Sequence, residues 1–225
     1  MNRFPARNKV PEFTVFASLL RMTTKYGFSD VREALIEDLK GAYPTKWEDF
    51  EMAKVLGEDV FGSPKPHPNA VLYLFLEQSI KFALPFAAYR AGLGGPSALA
   101  SEKPRMVLPR LTLASIVHNM EGMRGAMTYA AQTIGHTWDL VMCSERACAL
   151  NVSISSRGRR MEALKKIPDT MVKKSEGDLL SSMFLGNLLC AGCAERLKND
   201  HRDCRKQLVW ARLPRLIGWK GWEGV

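Results

Sequence analysis

LCAGCAERLKNDHRDC, residues 189–204, holds three of the chain's five cysteines and one of its four histidines, among lysines and arginines. Its reading decides the fold. Leu179, Met183, Gly186, Cys190, Cys193, Leu197, His201, Cys204 and Leu208 step by three or four residues throughout. That is one side of a packed helix, and it predicts a long final helix from about 175 to 211. Free cysteine behaves as a small buried hydrophobe, so every cysteine here fits a core position. The other reading is a metal site. Cys190 and Cys193 share a helix face. His201 and Cys204 repeat the pairing eleven residues on, about 16 Å along a continuous helix. One ion cannot take both pairs, because metal–sulfur bonds are about 2.3 Å. The remaining cysteines are Cys143 and Cys148, in CSERAC. The metal reading is therefore specific: Cys143, Cys148, Cys190 and Cys193 around one structural zinc, with His201 and Cys204 outside it. A thioredoxin-type redox role lacks its strand–turn–helix context.

Outward from this stretch the pattern stays helical. Phe13, Phe16 and Leu20 form a stripe over 12–26, ended by Gly27. Ser29 and Asp30, with Glu33, can cap a helix over 30–42 that places Val31, Leu35 and Leu39 on one face. Trp47, Phe50 and Met52–Leu56 suggest a third helix. SPKPHPN, 63–69, reads as a rigid connector in which His67 is a loop residue rather than a ligand. Helical pattern resumes over 70–82, and Pro85 marks a break or the first turn of a helix ending at Gly92. Residues 92–109 and 155–175 read as loops. Between them a long helix over 110–134 carries Met120, Met123 and Met127, either adaptable core or a groove for a partner helix. Trp210, Trp219 and Trp222 give the tail apolar weight. Alternation of period two is almost absent. The predicted class is all-α, an irregular helical bundle with a long C-terminal helix and no substantial sheet.

The longest apolar run is seven residues, Ala70–Leu76, against about 20 for a membrane span. Residues 1–11 read as disordered and lack a secretory h-region. An odd cysteine count without a secretory signal argues against a disulfide framework and for a reducing compartment, cytosol or nucleus. The net charge of +9 is uneven: residues 143–215 hold 15 Lys and Arg against 8 Asp and Glu. The basic 157–174 stretch and the final helix could contact nucleic acid in a nuclear regulator. No aromatic residues interleave there as stacking platforms would, so a solvated helical face is the simpler account. No H-E-x-x-H, G-x-S-x-G or phosphate-loop spacing occurs. His118 near Glu121 and His136 near Asp139 are isolated pairs at helical spacing. Nothing sets a nucleophile beside a base. The expectation is a protein that is not an enzyme, with no catalytic residue and no small-molecule substrate.

Three blocks in order carry a resemblance: FASLLRMTTKYGFSDVREALIEDLKGAYPTKWEDFE (16–51), KPHPNAVLYLFLEQSIKFALPFAAY (65–89) and LCAGCAERLKNDHRDCRKQLVWARLPRLIGWKGWEGV (189–225). Together they resemble the region that follows the fold-defining core in BTB/POZ-domain proteins of mushroom-forming fungi. An upstream cysteine pair, here Cys143 and Cys148, belongs to the same pattern. Residues 12–62 look like the end of the BTB domain, and 63–225 like the helical region after it. The family usually carries a core of strands and helices upstream, whereas about eleven residues precede the first helical block here. The resemblance implies an adaptor that bridges proteins. Its link to a cullin-type ubiquitin ligase rests on the core not seen here. Without that core, the first helices are expected to expose an apolar face and to self-associate.

Overall fold

The computed structural model describes residues 12–40, 42–56, 61–62, 66–93, 110–139, 143, 148 and 189–222. Among these residues there are seven α-helices and no strand: α1 (Phe13–Tyr26), α2 (Ser29–Lys40), α3 (Trp47–Leu56), α4 (Pro68–Glu77), α5 (Leu84–Leu93), α6 (Arg110–Asp139) and α7 (Ala191–Leu208). Short 3₁₀ helices cover Lys81–Ala83 and Trp210–Ile217. The all-α class read from the sequence is the observed one. The chain packs as two compact units, Met1–Met120 with Leu213–Val225, and Glu121–Arg212. The expected disorder of 1–11, most of the 92–109 loop, and the 155–175 loop with its basic 157–174 stretch lie outside the described residues.

In the first unit, α1 and α2 form a helical hairpin. Gly27 ends α1 in the left-handed region at φ 70°, where a side chain would cost about 1 kcal/mol or more. Its N–H and that of Phe28 both donate to the Thr23 carbonyl. α1 buries Phe16, Ala17, Leu20 and Thr23, and α2 buries Leu39. α2 opens at Ser29, one residue before the expected start, which places Asp30 in the first turn where the helix dipole favours an acid.

His67 is more than a loop residue. It is the N-cap of α4, its Nδ1 accepting from the Asn69 N–H at 3.3 Å, with Pro68 in the first turn. Asn69–Leu72, Leu74 and Phe75 are all buried, so α4 is apolar nearly all round and forms the centre of this unit. The helix stops at Glu77, short of the expected 82, because Ser79 turns the chain at φ 54°. The turn is pinned from the hairpin. Arg32 Nη2 donates to the Gln78 carbonyl at 2.9 Å, Thr24 Oγ1 donates to Gln78 Oε1 at 2.7 Å, and Arg21 pairs with Glu77 at 2.8 Å. Tyr43, Phe50, Phe75, Phe86 and Tyr89 meet edge-on around α4 and α5.

Pro85 lies in the first turn of α5, which runs one residue past the expected Gly92 end. A Cβ built on Gly92 would lie 2.6 Å from Met120 Cγ. Gly92→Ala is therefore expected to destabilise by about 1–3 kcal/mol, well beyond the ~0.4–1 kcal/mol that a stiffer unfolded chain returns. Chemical denaturation at equilibrium measures it; an unchanged midpoint would refute the close approach. Met120 and Met123 are buried, so these two members of the methionine row are core. The tail docks in the same unit. Leu213 and Leu216 are fully buried, and the Arg215 carbonyl accepts from Asn119 Nδ2 at 3.0 Å and Ser115 Oγ at 3.3 Å. Trp219 and Trp222 are half-buried there, whereas Trp210 is a buried residue of the second unit.

Candidate metal centre

The final helix does not run continuously through the cysteines. It starts at Ala191, and Cys190 is its N-cap in extended backbone, φ −69° and ψ 164°. The expected stretch 175–188 lies outside the described residues. The single stripe from Leu179 to Leu208 is thus interrupted at Cys190, and the inner face of α7 is Leu197, His201 and Arg205. Extended backbone at Cys190 swings its side chain over the first turn of α7, where Cys193 sits. Cys143, in an isolated β-bridge, and Cys148 meet them there.

The four sulfurs of Cys143, Cys148, Cys190 and Cys193 all lie within 4.8 Å of one another. The Cys143 and Cys190 sulfurs are 3.5 Å apart. All four residues belong to the second unit. Cys148 is 1 % exposed and the others are partly exposed. His201 and Cys204 are not members of the cluster. Cys204 is a half-buried thiol whose pKa is raised, first by burial and then by Asp200 and Asp203. Of the sequence-level candidates, the structure brings together the four cysteines named for a metal and leaves aside the two residues set outside it.

The electrostatics divide the cluster. The backbone N–H of Cys193 faces the Cys190 sulfur and, against some burial, holds that thiol below its ordinary pKa; neighbouring thiols of Cys143, Cys193 and Cys148 add to this. A helix N-terminus with its unsatisfied N–H groups favours a thiolate at that place. Cys193 moves the other way. Burial pushes it far up, helped by its hydrogen bonds to Cys190 and Cys143 and by the charge of Cys148. The surroundings of Cys190 favour its thiolate, whereas those of Cys193 favour its thiol. Such a set can close around one soft cation that replaces the shared protons.

This sets the pH dependence expected of any metal held by the cluster. A thiol must lose its proton to ligate, and Cys193 holds its proton tightly. Affinity is expected to fall as pH falls, by about tenfold per pH unit for each proton released. Competition against a chromophoric chelator at several pH values measures the slope. A flat profile would mean that the thiols are not the ligands.

Sequence reasoning passed over Arg205. It is 5 % exposed, one turn beyond His201, yet in a helix this rich in Lys and Arg nothing in the residue order separates a buried arginine from the solvated ones. No protein-family profile, curated protein or solved structure matches the chain.

Proposed function

We propose that the chain is a non-enzymatic protein-interaction module, of the kind that follows the BTB core in the fungal family it resembles, with its second unit clamped by one zinc ion. The observation that carries the interaction reading is an apolar row on α1. Val15, Leu19, Met22 and Tyr26 are 50 %, 41 %, 52 % and 57 % exposed, and Phe28 just beyond is 58 % exposed. Contiguous exposed apolar surface of this kind marks an interaction site. Zinc suits the four sulfurs. Bonds of about 2.3 Å to a tetrahedral ion set sulfurs about 3.8 Å apart, inside the spread of the cluster. Thiolate ligands in tetrahedral array select zinc or iron–sulfur chemistry. Four protein ligands leave no open coordination position, which is the form of a structural site rather than a catalytic one.

The five cysteines, none of them in a disulfide, accord with the cytosol or nucleus as the place of action. No helix among the described residues is long and apolar enough to cross a membrane. Nucleic-acid contact is the second reading, favoured by Arg196, Lys198, Arg202 and Lys206 on the exposed side of α7. Glu195 and Asp203 interrupt that row and α7 carries no Phe, Trp or Tyr, so stacking is missing.

The test is cross-linking in the source cells, comparing the wild-type chain with Leu19→Glu/Met22→Glu. A protein recovered at near-stoichiometric yield with the wild type and lost with the variant supports the module. Recovery of no protein at that yield removes it. Recovery of nucleic acid instead, released by salt, installs the second reading.

A further inference from the structure

The exposed row on α1 has a spacing of its own. Val15, Leu19, Met22 and Tyr26 step by four, three and four residues. That is the 3.5-residue repeat of a coiled-coil seam, and it is separate from the buried stripe of Phe16, Leu20 and Thr23 on the same helix. α1 therefore has two apolar faces, one packed and one open. Resting on the interaction-module reading, we propose that the open face binds the same face of a second copy of this chain, with the two α1 helices antiparallel about a two-fold axis between Leu19 and Met22.

Three observations select a second copy. The first is area. At the exposures given, with aromatic side chains of about 150–250 Å² each, the five residues present roughly 500 Å² of open surface. That is at the upper end for a monomer's largest apolar patch, and two such patches reach the ~1,000 Å² total that a specific interface needs. The second is size. Antiparallel pairing sets the small Val15 against the large Tyr26 of the other copy, and Leu19 against Met22. A two-fold axis generates each of these contacts twice, so the face is self-complementary. The third is charge. One flank of the row carries Ser18 and Lys25, and the opposite flank carries Phe16 and Thr23, both buried in their own unit. Antiparallel pairing brings Lys25 beside Ser18 of the second copy, so no like charges oppose each other. Lys25 Nζ already lies 5.3 Å from the centre of the Tyr26 ring, which lets the amine cover the aromatic edge of the seam. Phe28, 6.3 Å from Tyr26 between ring centroids, extends the seam past the end of the helix.

The test is sedimentation equilibrium on the full chain across the micromolar range. The wild type is expected near twice its 25.2 kDa mass. Leu19→Glu places two carboxylates in the seam and is expected to weaken self-association by about tenfold or more. Leu19→Glu/Met22→Lys is expected to restore the dimer, because antiparallel pairing alone sets residue 19 of one copy against residue 22 of the other. Leu19 and Met22 are 41 % and 52 % exposed, and unchanged circular dichroism checks that each variant keeps its fold. A monomeric wild type, or a dimer that ignores Leu19→Glu, overturns the proposal. A double variant that stays monomeric overturns the antiparallel register. A monomeric wild type leaves the adaptor reading to the cross-linking experiment, whereas a dimer that captures no other protein leaves the pairing standing and removes the adaptor reading.

Discussion

Purified without chelator, the chain is expected to carry one zinc ion, and Cys190→Ser is expected to lose it. Cys143→Ser, Cys148→Ser and Cys193→Ser should behave alike, because each sulfur would supply one corner of the proposed site. Cys204→Ser should keep the ion, since Cys204 lies outside the cluster on a different part of α7. The effect is large because metal binding and folding are one equilibrium when the ligands converge only in the native state. Structural zinc contributes about 10–16 kcal/mol in small zinc-finger domains near neutral pH, as much as the whole stability of a typical domain. Cys143 and Cys148 are distant in sequence from Cys190 and Cys193, so without the ion a bare thiol cluster must close a long loop by itself. Chelation should therefore unfold the second unit while the helices of the first retain their signal. Metal analysis with circular dichroism, under reducing conditions, reads both. A folded, reduced chain with no bound metal would sink the clamp and leave four core thiols.

The second large effect is expected at Phe75. It is fully buried on α4 and meets Tyr43 edge-on at 4.8 Å between ring centroids. Phe75→Ala removes that contact and leaves a cavity that the surrounding rings fill only in part. The expected loss is about 3–5 kcal/mol, about a fifth or more of the stability of a typical domain. Phe28→Ala is the matched control. The same atoms are deleted from a residue 58 % exposed, so monomer stability should change by under about 0.5 kcal/mol. Equilibrium denaturation in urea separates the two. A Phe75→Ala variant as stable as the Phe28→Ala variant would mean that α4 is not the centre of its unit.

Helices were legible where periodicity and local stop signals agree. Phe13, Phe16 and Leu20, closed by Gly27, define α1 almost to the residue, because a left-handed glycine ends a helix by local backbone energy alone. Pro85 in the first turn of α5 is legible for a similar reason: its missing N–H is free at that position. The end of α4 was not legible. Residues 78–82 keep a helical look, and the turn at Ser79 is held because Thr24 of α1 and Arg32 of α2 bind Gln78. The break before α7 was hidden in the same way. Cys190 and Cys193 fit a helical stripe in the residue order, and only the approach of Cys143 and Cys148 gives extended backbone at Cys190 a purpose.

By itself, then, the order of residues determined the all-α class, the faces of the early helices and the four cysteines that could form a metal site. Those properties rest on repeats of three and four residues and on chemical type, which neighbours in sequence decide. The tertiary structure decided that those four cysteines converge. Thiols spread along one stripe and thiols gathered at one place look the same along a chain; they differ in whether three other sulfurs stand within 4.8 Å, as they do here. It also revealed that α1 has a second apolar face left open. Exposure depends on what packs against a helix, and that is a property of the whole fold.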